Sequence, residues 1–127
     1  MHIERIDHLV LNVHDLDATI RFYREVLGMR PLHAGDGRHA LAFGTQQLKL
    51  YPVGAPATPH AAHPTRGSAN LCFVSTTPIK EIVNQLERFG IAIEAGPVSR
   101  AGALGPVESV YFRDPDGNLI EVSNYPD

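Results

Sequence analysis

Two stretches of sequence that match each other decide the fold: residues 7–13 (DHLVLNV) and residues 69–75 (ANLCFVS). Each has the composition of a β-strand and is followed by a helix-like stretch that ends in glycine, Gly28 or Gly90. One offset of 62 residues superimposes both the strands and the two glycines without a gap. A βα unit repeated once in a small chain predicts two half-modules that share one core, with any functional site at their seam.

Both helix-like stretches have a capping signal and an apolar stripe. In the first, Asp15 can cap the helix, and Gly28 suits the position just after its end. In the second, Thr77 is the expected N-cap and Pro78 the first helical residue, and Gly90 ends the helix. The stripes comprise Leu16, Ile20, Tyr23 and Leu27 in the first helix and Ile79, Ile82, Val83 and Leu86 in the second.

Strands are predicted for most of the remaining chain, which gives the order βαβββ twice. The strand candidates after the helices are residues 38–44, 47–53, 91–98, 106–113 and 118–124. A proline- and alanine-rich connector at residues 54–67 separates two modules, residues 1–53 and 68–125. A strong tight-turn sequence, DPDG at 114–117, precedes the last strand. We predict one domain over residues 1–127, built from the two modules.

Composition and charge exclude several classes of protein. A chain of 127 residues fits one domain, and 43% hydrophobic with 20% charged residues is ordinary for a folded soluble protein. A net charge of −3, with the 11 lysines and arginines scattered, offers no footprint for nucleic acid. The sequence contains no recognisable signal peptide or membrane-spanning run, and its single cysteine suits a reducing compartment. We expect a cytoplasmic protein that binds neither nucleic acid nor membranes.

Strand alternation separates an apolar face from a polar face in each predicted sheet. The apolar side chains expected beneath the helices are Leu9, Leu11, Leu48, Leu50, Leu71, Phe73, Ile120 and Val122. The same alternation assigns His8, Lys49, Asn70 and Glu121 to the opposite face. The polar residues of that face are therefore the candidates for chemistry.

Three motifs resemble the vicinal oxygen chelate superfamily, which includes glyoxalase I, fosfomycin-resistance proteins, extradiol dioxygenases and bleomycin-binding proteins. They are residues 7–11 (DHLVL), 22–28 (FYREVLG) and 111–121 (YFRDPDGNLIE), and the resemblance covers essentially the whole chain. The stretch from residue 96 to 125 and the segment at 61–68 are similar to the branch called glyoxalase domain-containing protein 5. The resemblance implies an α+β fold in which two tandem βαβββ modules form a curved-sheet cup. It implies less about the reaction, because this fold hosts several chemistries.

The resemblance also implies a site for a divalent metal. Glyoxalase-type members take four ligands, His or Gln, Glu, His and Glu, from four equivalent strands. Those positions fall on His8, Lys49, Asn70 and Glu121. His8 and Glu121 suit Zn, Ni, Mn or Fe, and Asn70 is a third candidate ligand. Lys49 departs from the pattern, because a protonated ammonium has no lone pair for a metal.

Each metal candidate has a plainer interpretation. His8 can be a hydrogen-bonded structural histidine in a strand. Glu121 can pair with Lys49, which would satisfy both charges and take the place of a metal. Asn70 can line the pocket without touching a metal, because an amide oxygen is a weak ligand for a transition metal. The sequence leaves these alternatives open.

Further residues are assigned to the pocket or to its surroundings. The predicted substrate contacts are Lys49, Tyr51, Arg100 and Tyr111. The glycine-rich stretch at 100–105 is predicted to be a flexible lid whose arginine meets an anionic substrate. His60 and His63 lie in the connector, and either can face solvent or reach the site. Cys72 is predicted to be a buried, inert thiol.

Two functions from different classes follow from this pattern, with a dimer scaffold whose site has decayed as a third. The first is a glyoxalase-like, metal-dependent lyase or isomerase on a small oxygenated substrate, with Glu121 moving the proton that forms an enediolate. The second is a metal-free protein of bleomycin-resistance type that sequesters a small molecule, with a Lys49–Glu121 pair in the cup. Exposed sheet edges predict a homodimer in either case.

Overall fold

The computed structural model describes residues 1–33 and 35–126, which divide into two units, Met1–Gly67 and a second that begins at Ser68. Each unit contains one helix and one four-stranded sheet. The predicted α+β class and the tandem βαβββ order are therefore confirmed. Within the described ranges, no helix has both the length and the apolar character needed to cross a membrane.

The N-terminal unit has the βαβββ order, with one strand more after its helix than the strand candidates read from the sequence. Its elements are β1 (His8–Val13), α1 (Leu16–Glu25), β2 (Arg30–His33), β3 (His39–Phe43) and β4 (Gln46–Pro52). The sheet order is β1-β4-β3-β2, in which β1 runs parallel to β4 and the other neighbours are antiparallel. Asp15 caps α1 as predicted, because its Oδ1 accepts a hydrogen bond from the Ala18 backbone N–H at 3.0 Å. Gly28 follows the helix with a φ of 68°, a conformation that favours glycine.

The C-terminal unit repeats this arrangement. Its elements are β5 (Asn70–Val74), α2 (Ile79–Arg88), β6 (Ala95–Gly102), β7 (Gly105–Arg113) and β8 (Leu119–Asn124). The sheet order is β5-β8-β7-β6, with β5 parallel to β8, so it is equivalent strand for strand to the first sheet. Gly90 follows α2 with a φ of 69°, nearly identical to that of Gly28. The internal repeat read from the sequence is thus a repeat of topology.

Three local predictions need correction. Strand β2 was absent from the predicted strand set, and it is short and half-exposed at the edge of its sheet. Pro78, rather than Thr77, is the N-cap of α2, and it makes no side-chain capping bond. The stretch 100–105 is not a lid, because β6 continues to Gly102 and β7 begins at Gly105. A tight hairpin therefore replaces the predicted loop, and its antiparallel ladder pairs Arg100 with Val107.

The helices cover the apolar faces that alternation identified. The buried apolar side chains of the N-terminal unit include Leu11, Val13, Tyr23, Leu41, Leu48 and Leu50. Those of the C-terminal unit include Ile79, Ile82, Leu86, Val110, Phe112, Ile120 and Val122. In the described part of the chain, the opposite face of each sheet carries no helix of its own unit, and we call it the open face. Val10 is 40% exposed and Val74 62% exposed on these open faces.

A buried polar turn fixes the start of the last strand. Asp114 accepts hydrogen bonds from the backbone N–H groups of Asp116 and Asn118, each at 2.9 Å, and from the Asn118 amide at 2.8 Å. Asn118 in turn accepts a hydrogen bond from the Ala69 backbone at 2.9 Å, beside the start of β5. This turn, predicted from the DPDG sequence, sets the register of β8 and so the position of Glu121.

Candidate functional site

Two strands present the polar residues on the open face of the N-terminal unit. In the parallel pairing of β1 with β4, His8 lies opposite Gln47, Val10 opposite Lys49 and Asn12 opposite Tyr51. Because side chains two apart share a face, these six residues form one polar strip with a single apolar member. Alternation therefore placed His8, Lys49 and Tyr51 on one face, as the register shows.

A carboxylate holds the His8 imidazole in a defined orientation. The Nδ1 atom of His8 lies 2.9 Å from Asp7 Oδ2, and the His8 side chain is 39% exposed. A carboxylate only accepts hydrogen bonds, so the ring donates from Nδ1, and a neutral ring then carries its lone pair on Nε2. The hydrogen bond from His8 is the largest cause of a lowered pKa at Asp7. A carboxylate behind a histidine is the arrangement that commonly supports a metal-ligating imidazole.

Lys49 has no carboxylate partner in the part of the chain that the structure describes. It is half-buried on β4, and its charge is among the smaller causes of the lowered pKa of Asp7. The predicted Lys49–Glu121 pair joins the two units, and it stays a prediction.

Two pockets lie along the open face of the N-terminal unit. One, of about 260 Å³, is lined by Leu32, Arg38, His39, Ala40, Gln47, Lys49 and Tyr51. The other, of about 270 Å³, is lined by Val10, Asn12, Ala57, Pro59, His60, Ala61 and Pro64. The connector thus folds over β1 and brings His60 to a pocket beside the strand of His8. His63 is not among the residues that line it.

Glu121 lies in a hydrogen-bond network on the open face of the C-terminal unit. Its Oε2 accepts a hydrogen bond from Ser109 Oγ at 2.7 Å and one from Ser123 Oγ at 3.2 Å. The two serine hydroxyls are 2.6 Å apart, and both serines are fully buried. Glu121 is itself only half-buried. The buried serines therefore hold its Oε2 atom, while the carboxylate group remains accessible on the open face.

Tyr111 and Arg100 lie beside this network. Burial raises the pKa of the Tyr111 hydroxyl, the Arg100 guanidinium lowers it, and the nearby Glu121 carboxylate raises it. The guanidinium carbon of Arg100 lies 5.5 Å from the centre of the Tyr111 ring, within the range of a cation–π contact. The predicted substrate contacts Arg100 and Tyr111 therefore lie in one cluster with Glu121.

Cys72 is not the buried thiol that the sequence suggested. The residue is exposed on β5, opposite Glu121 in the strand register, and its Sγ lies 3.2 Å from Ser123 Oγ. Burial of the sulfur nevertheless raises the pKa of the thiol, with the negative charge of Glu121 acting in the same direction. The thiol is thus accessible but mostly protonated at neutral pH.

Each unit gathers part of the predicted site. The N-terminal unit carries His8, Lys49 and Tyr51, and the C-terminal unit carries Asn70, Glu121, Tyr111 and Arg100. Asn70 is exposed at the start of β5, and its place in the register is opposite Leu119. Among the described residues, no group of three or more His, Cys, Asp or Glu side chains is placed to hold a metal. His8 and Glu121 are therefore single donors on separate units.

Sequence reasoning missed two parts of the site. Ser109 and Ser123 were not singled out, although both share the face of Glu121 by alternation and pair with each other across β7 and β8. Asp7 was quoted only as part of a motif, because adjacent strand residues are expected on opposite faces. It precedes β1, where the backbone is free to turn the carboxylate toward the His8 ring.

Topology and sequence comparison define the class of protein. Two βαβββ units with a histidine on the first strand and a glutamate on the last match the model of the Glyoxalase/Bleomycin resistance protein/Dioxygenase superfamily over residues 5–122. The chain belongs to this superfamily.

Individual relatives are more specific. The virulence protein STM3117 of Salmonella typhimurium is 51% identical over 98% of this chain and 87% of its own length. Its crystal structure matches with a TM-score of 0.97, covering 99% of this chain and 100% of that one. The glyoxalase domain-containing protein RDO1 of Mycosarcoma maydis is 46% identical over 100% of this chain and 72% of its own.

A relative with an enzyme's name is more distant. The crystal structure of lactoylglutathione lyase from Agrobacterium tumefaciens has a TM-score of 0.74 at 29% identity, covering 96% of this chain and 94% of that one. The similarity spans both βαβββ units, so the fold is shared throughout. The particular resemblance to glyoxalase domain-containing protein 5 stays a prediction.

Proposed function

We propose that the protein is a metal-dependent enzyme acting on a small oxygenated substrate, with a divalent ion (Zn, Ni, Mn or Fe) held by His8 and Glu121. The observation that carries this proposal is the Asp7–His8 hydrogen bond of 2.9 Å. It leaves Nε2 as the donor atom and fixes the ring, as a carboxylate does behind a metal-ligating histidine. Membership of the superfamily and the similarity to a lactoylglutathione lyase support the same conclusion.

The donor set fits a catalytic ion better than a structural one. An imidazole nitrogen and a carboxylate oxygen are ordinary ligands for these metals, and catalytic sites leave positions open for water or substrate. Asn70 is the candidate for a third, weaker contact. When bound, the ion would supply Lewis acidity toward two adjacent oxygens of the substrate.

Glu121 is proposed as the residue that moves the proton. Ser109 and Ser123 anchor its Oε2, so the carboxylate is oriented before substrate arrives. A carboxylate in this position accepts a proton from a substrate carbon and returns it to a neighbouring atom. Tyr111 and Arg100 are proposed to hold substrate oxygens, and Lys49 and Tyr51 to bind the substrate from the N-terminal unit.

We further propose that the protein acts as a homodimer in the cytoplasm. The exposed edges of the two four-stranded sheets support a partner surface, because an unpaired strand edge can pair with a second chain. Light scattering at micromolar concentration should give twice the mass of one chain. A monomer at that concentration would contradict the dimer and leave the metal proposal standing.

Elemental analysis of untagged protein, purified without chelator, tests the function. Wild-type protein should carry about one equivalent of a divalent transition metal per chain. His8→Ala should remove most of it, and Asp7→Asn should weaken affinity about 10–100-fold, because the imidazole loses its orienting acceptor. His2→Ala, at an exposed position before β1, is the matched control and should change nothing. Metal-free wild-type protein that takes up no added Zn, Ni, Mn or Fe would refute the proposal.

Metal-free binding of a small molecule is the second candidate. The observation that favours it is Lys49, an ammonium at a position where glyoxalase-type members carry a ligand glutamate. Lys49→Glu separates the two candidates. In an enzyme it should raise affinity for the divalent ion and preserve the fold, whereas in a binder with a Lys49–Glu121 pair it should destabilise the protein at neutral pH.

A further inference from the structure

Three polar side chains on one strand line the same pocket without hydrogen-bond partners. Gln47, Lys49 and Tyr51 alternate along β4, so all three point to the open face of the N-terminal unit. All three are half-buried and line the pocket of about 260 Å³. In the described ranges, 1–33 and 35–126, none of these side chains makes a hydrogen bond or an ion pair with the protein. Half-buried polar groups that make no bond within the protein are solvated by water, and a ligand with matching acceptors can take the place of that water.

The charges around this pocket favour an anion. Lys49 contributes an ammonium that makes no ion pair in the described chain, although its charge reaches the Asp7 carboxylate and helps to lower the pKa of Asp7. Arg38 stands at the rim, with its Nε atom 2.6 Å from Asp36 Oδ2, so its charge is already balanced. The Tyr51 hydroxyl and the Gln47 amide add neutral donors beside the ammonium. Among the residues that the structure describes, none that lines the pocket carries a carboxylate.

The size of the pocket limits the ligand. At the volume that each water occupies in the liquid, 260 Å³ holds about nine molecules. A short-chain acid therefore fits within the pocket, whereas a peptide or a nucleotide would extend beyond it. A carboxylate accepts bonds from the ammonium and from one neutral donor together.

We infer that this pocket is a subsite for the carboxylate group of a small organic acid, with Lys49 as the charged contact and Tyr51 and Gln47 as neutral donors. The inference deepens the proposed function, on which it rests only for the link to catalysis. His8 lies opposite Gln47 in the same strand pairing, so an acid held here would present its other oxygens toward the proposed metal ligand. At the position where glyoxalase-type members carry a metal-binding glutamate, this chain would therefore carry a lysine that binds the substrate.

Lactate is the probe that tests the inference, with lactamide as its uncharged control. In chelator-treated, ¹⁵N-labelled protein, lactate at millimolar concentration should shift the backbone amides of residues 47–51 in a saturable manner. Lactamide should bind at least about tenfold more weakly, because hydrogen bonds to charged groups contribute more than neutral ones. Equal binding of the two, or shifts confined to other regions, would overturn the inference.

Variants establish which side chain is responsible. Lys49→Met should weaken lactate binding by about tenfold or more, and Lys49→Arg should retain most of it. Tyr51→Phe should weaken binding a few-fold, and it provides a second test if Lys49→Met does not fold. Lys80→Met, on the exposed face of α2, is the control and should leave the titration unchanged. Wild-type affinity in both Lys49→Met and Tyr51→Phe would overturn the assignment.

Repeating the titration with added Zn separates this inference from the proposed function. Lactate binding that depends on Lys49 in a chain that takes up no metal refutes the metal proposal and supports the subsite. Metal uptake that depends on His8, without lactate-induced shifts at residues 47–51, supports the metal proposal and refutes the subsite. Both results together support a metal-dependent enzyme for a small acid.

Discussion

Replacing Ser109 by alanine tests the network that positions Glu121. Ser109 is fully buried, and its hydroxyl makes the shorter of the two serine contacts with Glu121 Oε2, at 2.7 Å against 3.2 Å for Ser123. A hydrogen bond to a charged group contributes about 1.5–3 kcal/mol. Because Glu121 is half-buried and Ser123 can still donate, we expect a loss of about 1.5 kcal/mol in the free energy of unfolding, the lower end of that range.

Urea denaturation followed by far-UV circular dichroism measures this loss, since the chain has no tryptophan. A double-mutant cycle with Glu121→Ala isolates the Ser109–Glu121 contact, and we expect a coupling free energy of about 1 kcal/mol or more. Ser99→Ala, at an exposed position of β6, is the control and should change stability by less than about 0.5 kcal/mol. A coupling free energy below about 0.3 kcal/mol would refute the reasoning, because Ser109 would then not hold the carboxylate.

Two further predictions concern the same sheet. Burial and Glu121 raise the pKa of Cys72, while Ser123 lowers it, so iodoacetamide should alkylate the exposed thiol slowly at neutral pH. Ser123→Ala should raise the pKa and slow alkylation at pH 8, whereas Glu121→Gln should lower it and speed the reaction; the same sign for both variants would contradict this account. Gly96 has a φ of 101°, and a Cβ there would collide with the Ser109 carbonyl oxygen, so Gly96→Ala should destabilise the protein by more than ~1 kcal/mol in urea denaturation. An unchanged urea midpoint would show that the backbone yields without cost.

The repeat and the strand faces could be predicted because both rest on periodic patterns. Apolar residues of β4, such as Leu48 and Leu50, are buried because they alternate with polar ones and one face is covered by a helix. The same periodicity placed Lys49 and Glu121 on open faces. Capping by Asp15 followed from local chemistry, which needs no tertiary information.

Features that depend on pairing were harder to predict. Residues 30–33 (RPLH) have no apolar alternation and contain Pro31, which suits only an edge strand. They form β2 because they pair with the edge of β3. The sequence of residues 30–33 alone does not show that this edge is available. The glycines at 102 and 105 indicated a loop, but they belong to the tight hairpin of β6 and β7.

The polar network depended on side-chain reach, which strand alternation does not describe. Ser109 and Ser123 follow ordinary strand alternation, and only the register of β7 with β8 shows that they meet beneath Glu121. Asp7 lies outside β1 and reaches the ring of its neighbour, His8, through local backbone geometry. Both arrangements matter to the proposed chemistry, and neither leaves a pattern in the sequence.

Anomalous diffraction from crystals grown with Zn or Mn, recorded at the absorption edge of the metal, tests whether His8 and Glu121 hold a metal. We predict one strong peak per chain, about 2.0–2.2 Å from His8 Nε2 and from a Glu121 carboxylate oxygen. A peak at other residues, or no peak together with a Lys49 ammonium bonded to the Glu121 carboxylate, would contradict it.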